Sequence, residues 1–481
     1  MKSWLIYVVV FVAAGAVLVL ETIAGRIMAP YVGVTLQSFT AIIGTVLAAI
    51  ALGAWVGGSL ADKRDARAAL GPVLAIGGAL AVASPSFVYM VGPQLVGSSA
   101  LQTVVLAAVG FFAPAAVLSM VTPLAAKVQL TDLEDAGSVV GSLSAVGTAG
   151  ALFGVFVTGF VLIAALPSRP ITWAVGVVLL VLAINVSVPG SRRWVLAAGV
   201  ALGASLIGSA AVASSCETES AYYCVQVVVD SERPTGRTLL LDTSNHSYID
   251  VEDATYLGFR YARLMASIVD SSVAGTDEPI ETLYVGGGGF TLPRYFHAVH
   301  GATATVLELD PTLVTVAEER LGLVQGDWLR IEIGDARLTL RGENDGTYDV
   351  VVGDAFSSLS VPWHLTTQEF LEEVQRKMNS DGMYIMNVID RTEARFVHAE
   401  LQTLSRVFPF IAVAAPPNYL ELTNAGNFVL VGSNSQLDKA AIEAALPDGE
   451  LILFNDDAKA WAATGQVLTD EFAPTDQLFQ R

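Results

Sequence analysis

Residues 281–290 read ETLYVGGGGF and residues 303–311 read TATVLELDP. The first run is rich in β-formers, ends in four glycines, Gly286–Gly289, and leads into a helical pattern over 291–299. Glycine at the end of a strand lets the chain turn sharply and brings backbone N–H groups close to a ligand. The second run is another buried strand. Glu308 ends it, 22 residues after Gly286, where a carboxylate accepts hydrogen bonds from ribose hydroxyls. Asp310-Pro311 beside it also has a purely structural reading, since Asp caps helices and Pro suits the first helical position.

Outward from this pair the pattern repeats. Strand-like runs at 281–285, 303–309, 329–333, 348–353, 382–388, 409–414 and 427–431 alternate with helical stretches near 291–299, 311–321, 366–377 and 392–406. The alternation predicts a seven-stranded, mainly parallel Rossmann-like sheet with helices on both faces and chemistry at the carboxyl ends of its strands. Asp335 follows the third strand within Gly334-Asp335-Ala336-Arg337, placed to accept an adenine amine. Asp354 follows the fourth, ahead of Ala355-Phe356-Ser357-Ser358. Polar residues at four consecutive strand ends point to a nucleoside-type ligand. Before them, Tyr222–Val229 and Thr238–Leu241, with the turn Arg233-Pro234-Thr235-Gly236 between, read as a β-hairpin region.

On these motifs residues 215–435 resemble the spermidine synthase (aminopropyltransferase) family, a branch of the class I S-adenosylmethionine-dependent methyltransferase fold. The matching stretches are Leu239–Asp242, Val285–Gly289, Val306–Asp310, Gly334–Ala336 and Tyr348–Asp354. The whole chain resembles the membrane-fused members, through Leu20-Glu21 to Gly25-Arg26, Ala29-Pro30-Tyr31, Leu52-Gly53 to Gly57-Gly58, His246-Ser247-Tyr248 and Pro362–Thr367. The resemblance implies Gly286, Gly287 and Gly288 at the sulfonium side of the donor, Glu308 on the ribose, Asp335 on the adenine and Asp354 as the catalytic carboxylate. Such a carboxylate orients an attacking amine and takes its proton. Decarboxylated S-adenosylmethionine or S-adenosylmethionine is the implied co-substrate, and a small amine or other small molecule the acceptor.

This chain departs from the family on the substrate side. Gly289-Phe290 stands where spermidine synthases carry an aspartate for the aminopropyl ammonium. Tyr223 and His246 replace two glutamines, and Tyr261-Ala262-Arg263 replaces a Tyr-His-Glu stretch, so that Arg263 is expected to repel a diamine. Tyr223, His246, Tyr248 and His364 are the candidate acceptor-side residues. A lone histidine is as readily a hydrogen-bonded structural residue as an acid or base. No pair of histidines has metal-ligand spacing, and no metal is expected.

The half before this domain is of another kind. Residues 1–214 hold 9 Lys+Arg against 6 Asp+Glu, a balance of +3, whereas 215–481 stand at −23 within a chain of 481 residues and net charge −20. Seven apolar runs, 4–20, 39–60, 69–91, 101–121, 138–165, 171–188 and 194–213, are long enough to cross a bilayer. The expected organisation is therefore a transmembrane domain over 1–214, a β-hairpin region over 215–270 and a nucleoside-binding domain with an acidic extension over 271–481. A cleavable signal peptide is disfavoured because six spans follow the first.

Lys2, Lys63, Arg64, Arg67, Lys127, Arg192 and Arg193 fall on one face against Arg26 and Arg169 on the other. That count places the amino terminus inside and the acidic domain outside the cell membrane; one miscounted span reverses it. Cys216 and Cys224 are the only cysteines, free to pair on an oxidising side. Glu21 and Arg26 are expected at the interface, as anchor or as polar contact. The four-residue spacings Gly53/Gly57 and Gly137/Gly141/Ala145/Ala149 are read as packing stripes.

The acidic balance excludes nucleic-acid binding, which needs basic charge. With 6 Lys among 26 basic residues it also suits a salt-rich setting. Partners expected are the bilayer and a small amine or other small-molecule acceptor, with a second copy of the chain as a further candidate. Three functions stay open: aminopropyl transfer, methyl transfer to a membrane-proximal or exported acceptor, and a non-enzymatic transporter or sensor.

Overall fold

The computed structural model describes residues 3–34, 36–95, 99–130, 136–214, 216–275, 278–356 and 361–480. Lys2, Ser215, Ser357 and Ser358, which enter the readings above, lie outside them. The chain divides into two compact units, Met1–Gln226 with Leu241–Thr243, and Val227–Leu240 with Ser244–Arg481.

Among the described residues the first unit holds seven helices long and apolar enough to cross a membrane: Ser3–Val32, Leu36–Lys63, Ala66–Gln94, Ala100–Gln129, Ala136–Ala165, Ser168–Val186 and Arg192–Ala211. Gly53 and Gly57 do pack closely: a Cβ on them would lie 2.0 Å from the Ala116 carbonyl oxygen and 2.6 Å from the Met120 Cα. The second stripe reads differently in the structure. Gly137, Gly141, Ala145 and Ala149 are all exposed. The seam of that helix is instead Gly150 and Gly154, against the backbone of Phe11 and Gly15 in the first helix. Spacing shows that small residues share a face; it does not show which face meets a neighbour.

Arg26 is an anchor. Its Nε lies 3.1 Å from a Glu219 carboxylate oxygen, and its Nη1 donates to the Ile163 carbonyl at 3.1 Å. Glu219 also accepts from the Ser168 backbone N–H at 3.1 Å and from the Ser168 hydroxyl. Close by in sequence, Cys216 and Cys224 form a disulfide. The buried Asp242 carboxylate accepts the Cys224 N–H at 2.9 Å.

Strands β1 (Thr218–Glu219), β2 (Cys224–Val229), β3 (Gly236–Leu241) and β4 (Ser244–Asp250) make one sheet in chain order, two strands more than the expected hairpin. The large sheet follows: β5 (Glu281–Val285), β6 (Thr303–Glu308), β7 (Leu329–Ile333), β8 (Tyr348–Gly353), β9 (Met378–Asp390), β10 (Phe410–Ala415), β11 (Gly426–Ser433) and β12 (Leu451–Phe454). Its order is β12-β10-β11-β9-β8-β5-β6-β7.

This corrects the expected seven-stranded, mainly parallel sheet. Among the described residues the sheet has eight strands, of which only β7, β6, β5, β8 and β9 pair in parallel; β11 runs antiparallel to β9 and β10, and β12 antiparallel to β10. The reason lies in the connections. Only residues 416–425 join β10 to β11, too few for the helical crossover a parallel pair needs. The short β12 falls within the stretch read as an acidic extension. Buried Leu283, Val285, Val351, Phe370, Phe396 and Phe428 build the core between sheet and helices, each on the inward phase of its element.

Candidate functional site

The glycine loop ends β5. Gly286 has φ +96 and Gly288 φ +50, both in the region that favours glycine. A Cβ on Gly286 would meet the Asp354 carbonyl oxygen at 2.8 Å, so the loop and the end of β8 touch backbone to backbone. Under the loop lies Glu308, buried at the end of β6. One carboxylate oxygen accepts the N–H groups of Gly287 at 2.8 Å and Gly288 at 3.3 Å, and the other accepts Asp310 N–H at 2.8 Å. Burial raises the carboxyl above its usual range despite these donors. A carboxylate has about four acceptor positions, so Glu308 fixes the loop and keeps capacity for a sugar hydroxyl.

Asp310 caps the helix Pro311–Arg320 by accepting Thr312 N–H at 3.0 Å, as the structural reading of Asp310-Pro311 anticipates. Asp335 caps Ala336–Leu340 through Leu338 N–H, and its other oxygen lies 2.9 Å from His364 Nε2. His364 is thus tied to the expected adenine-side residue. It lines neither cavity described below, so the structure does not group it with the acceptor-side candidates.

Asp354 sits where β8 ends. One of its oxygens accepts the Tyr261 hydroxyl at 3.0 Å and the other the Asn387 amide at 2.9 Å. The Asn387 carbonyl oxygen accepts in turn from Asn427 at 2.9 Å. Burial pushes the Asp354 carboxyl up to about 6, with both donors pulling the other way. Beside it, burial pushes the His246 imidazole down to about 4, so this ring is neutral near pH 7.

Two cavities meet at this carboxylate. The first is lined by Gly286, Gly287, Gly288, Tyr284 and Tyr248, the second, of about 310 Å³, by Asn387, Asn427, Tyr419, Arg260 and Glu450; both share His246, Phe259, Tyr261 and Asp354. Tyr248 contributes its ring, while its hydroxyl donates to Asp230 at 2.7 Å. Tyr223 lines neither cavity; it belongs to the first compact unit and takes Ser220 Oγ on its backbone N–H at 2.9 Å.

The expectation for Arg263 does not hold. Its guanidinium is exposed and donates to the Leu257 and Gly258 carbonyls at 2.9 and 2.7 Å, away from both cavities. Two residues along a helix turn a side chain by about 200°, so Tyr261 reaches Asp354 while Arg263 faces out. Sequence reading missed Asn387, Asn427 and Glu450. Asn387 lies within β9, level with Asp354 because Gly353 pairs with Met386, and Asn427 is the second residue of β11; a polar residue inside a hydrophobic strand is the one signal that could have found them.

No family model matches the chain. Among curated proteins, the polyamine aminopropyltransferase of Vibrio vulnificus is 25% identical over 247 residues, covering 47% of this chain and 80% of that protein. Over a third to a half of its length the chain is thus similar to polyamine aminopropyltransferases. The mouse eEF1A lysine and N-terminal methyltransferase is 31% identical over 148 residues, 28% of this chain. The chain spans only 21% of that relative's length. Among solved structures, a probable spermidine synthase from Corynebacterium glutamicum is similar at 26% identity and a TM-score of 0.49, covering 53% of this chain and 95% of its own.

Proposed function

We propose that this chain is a membrane-bound aminopropyltransferase-like enzyme, in which Asp354 orients and deprotonates an amine acceptor held in the 310 Å³ cavity. The observation that carries the reading is the position of Asp354. It is common to both cavities, with the glycine loop on one side and an amide-rich chamber on the other. Gly286–Gly288 and Glu308 are assigned to a nucleoside donor of the decarboxylated S-adenosylmethionine type, with Asp335 on its base. Such a donor supplies an electrophilic carbon next to a sulfonium. The acceptor nitrogen forms a bond to that carbon, the carbon–sulfur bond breaks toward the nucleoside thioether, and the proton of the amine passes to Asp354. A carboxyl near pH 6 is ionised at neutral pH yet basic enough to help. Neutral His246 adds no charge that would oppose a cationic acceptor.

Methyl transfer from S-adenosylmethionine is the second reading, favoured by one observation: Gly289 and the buried Phe290 leave no carboxylate on the loop for an aminopropyl ammonium. For topology we propose that the soluble part lies outside the membrane, supported by the loop charges and by the paired Cys216 and Cys224. A carboxyl-terminal reporter tests this; activity only of a cytosolic reporter overturns it.

For the chemistry, the purified full-length chain is offered the decarboxylated donor and a panel of amines. Transfer is expected, and Asp354→Ala is expected to lower its rate by about a hundredfold or more while 5′-methylthioadenosine still binds. Equal turnover by the variant removes Asp354 from the chemistry.

A further inference from the structure

The acceptor cavity has a second carboxylate at its other end. Glu450 immediately precedes β12, and because β12 runs antiparallel to β10, with Ala415 opposite Leu451, Glu450 emerges at the same sheet edge as Asp354. Its side chain is 1% exposed. One oxygen takes Arg260 Nε, and the other is buried with no hydrogen-bond partner. A buried charged acceptor left unpaired is costly, which makes this oxygen a seat for a donor brought by a ligand. Arg260 also donates to the Gly449 carbonyl at 3.0 Å, so its guanidinium is committed to this corner. Asp354, Glu450 and Arg260 together leave the chamber one negative charge in excess.

The two carboxylates are held by consecutive residues of one helix start, Tyr261 on Asp354 and Arg260 on Glu450. They stand on strands four inter-strand steps apart in the order β8, β9, β11, β10, β12, roughly 19 Å between the backbones at about 4.8 Å each, and the side chains reaching in to Tyr261 and Arg260 shorten the gap between the carboxylates themselves. A four-carbon diamine, whose nitrogens are five single bonds of about 1.5 Å apart, falls well short of the backbone separation. Asn387, Asn427 and Tyr419 line the stretch between and offer neutral polar groups to a chain passing over them.

Resting on the aminopropyl-transfer reading, we propose that the acceptor is a long linear polyamine, one terminal nitrogen at Asp354 and a distal ammonium on the free oxygen of Glu450. Glu450 is then the length-selecting residue of the site. It takes the part that the carboxylates missing at Gly289 and Arg263 leave unfilled.

The test is calorimetry on the full-length chain in detergent, with spermine and butane-1,4-diamine as probes, for wild type, Glu450→Gln and Glu450→Asp. Spermine is expected to bind at least about tenfold tighter than the diamine. Glu450→Gln is expected to weaken spermine by about tenfold to a hundredfold and the diamine by less than about twofold. Binding of 5′-methylthioadenosine reports that the fold is intact; if Glu450→Gln loses it, Glu450→Asp, which keeps the charge for Arg260, is read instead and should lower the preference for spermine. Equal affinities for the two amines overturn the proposal. So does a spermine affinity unchanged in both variants, the result that diffuse attraction to an acidic surface would give. If Glu450 governs spermine binding but no aminopropyl group is transferred to either amine, the seat stands and the transfer reading falls.

Discussion

Replacing Asp354 by Asn should abolish transfer and yet stabilise the soluble part, by an amount that depends on pH. In the fold its carboxyl titrates near 6, against 3.8 for an unperturbed aspartate. Because the folded pKa is the higher one, the folded state holds the proton more tightly. Its stability from this group is complete below about pH 4 and is lost as pH rises through about 6. Two pH units correspond to roughly 3 kcal/mol as an upper bound. Asp354 keeps some exposure, and solvent screening reduces this to about 1–2 kcal/mol.

Asparagine loses no hydrogen bond here: its carbonyl accepts from Asn387, and its amide donates to the Tyr261 oxygen, which also accepts. Thermal unfolding of the full chain, followed by a probe in the second unit, should therefore show Asp354→Asn matching wild type below about pH 4. At pH 8 it should melt about 3–6 °C higher. A difference that does not change with pH, or a lower melting point at pH 8, would refute the reasoning that burial strains this carboxylate.

Three further outcomes follow from the same geometry. Tyr261→Phe removes one of two donors to Asp354 and should move the acid limb of the pH–rate profile up from near 6 by about one pH unit, cutting the rate about fivefold at pH 6 and hardly at pH 8; an unmoved limb would count against Asp354 as the base. Gly286→Ala forces a Cβ against the Asp354 carbonyl at φ +96, and should cost about 2 kcal/mol of stability and most 5′-methylthioadenosine binding by calorimetry. Cys224→Ser, or reductant on the wild type, should lower stability by about 2–3 kcal/mol in denaturant titrations, and a thiol reagent should label the native chain only after reduction.

Much of the nucleoside side is legible in the sequence because each residue there depends on its own strand. Gly286, Glu308, Asp335 and Asp354 all follow or end a hydrophobic run, and a parallel sheet brings such ends to one edge whatever else happens. The acceptor side is assembled across strands whose order is not written locally. Asn387 meets Asp354 because β9 pairs in parallel beside β8, Asn427 reaches Asn387 only because β11 inserts antiparallel beside β9, and Glu450 joins them only through the short strand β12. Direction on a helix is equally hidden: Arg263 looked like an obstacle to a cation until its side chain was found turned out to the Leu257 and Gly258 carbonyls. In the first unit the same ambiguity sent the reading to Gly137 and Gly141 rather than Gly150 and Gly154.

The most direct test of the account is the identity of the nucleoside released. Full-length chain is incubated with an equimolar mixture of S-adenosylmethionine and its decarboxylated form plus a linear polyamine, and the products are resolved by mass spectrometry. The account predicts 5′-methylthioadenosine in equal amount to an amine heavier by one aminopropyl group, with both products formed about a hundredfold or more slowly by Asp354→Ala. Release of S-adenosylhomocysteine with a methylated acceptor would contradict it.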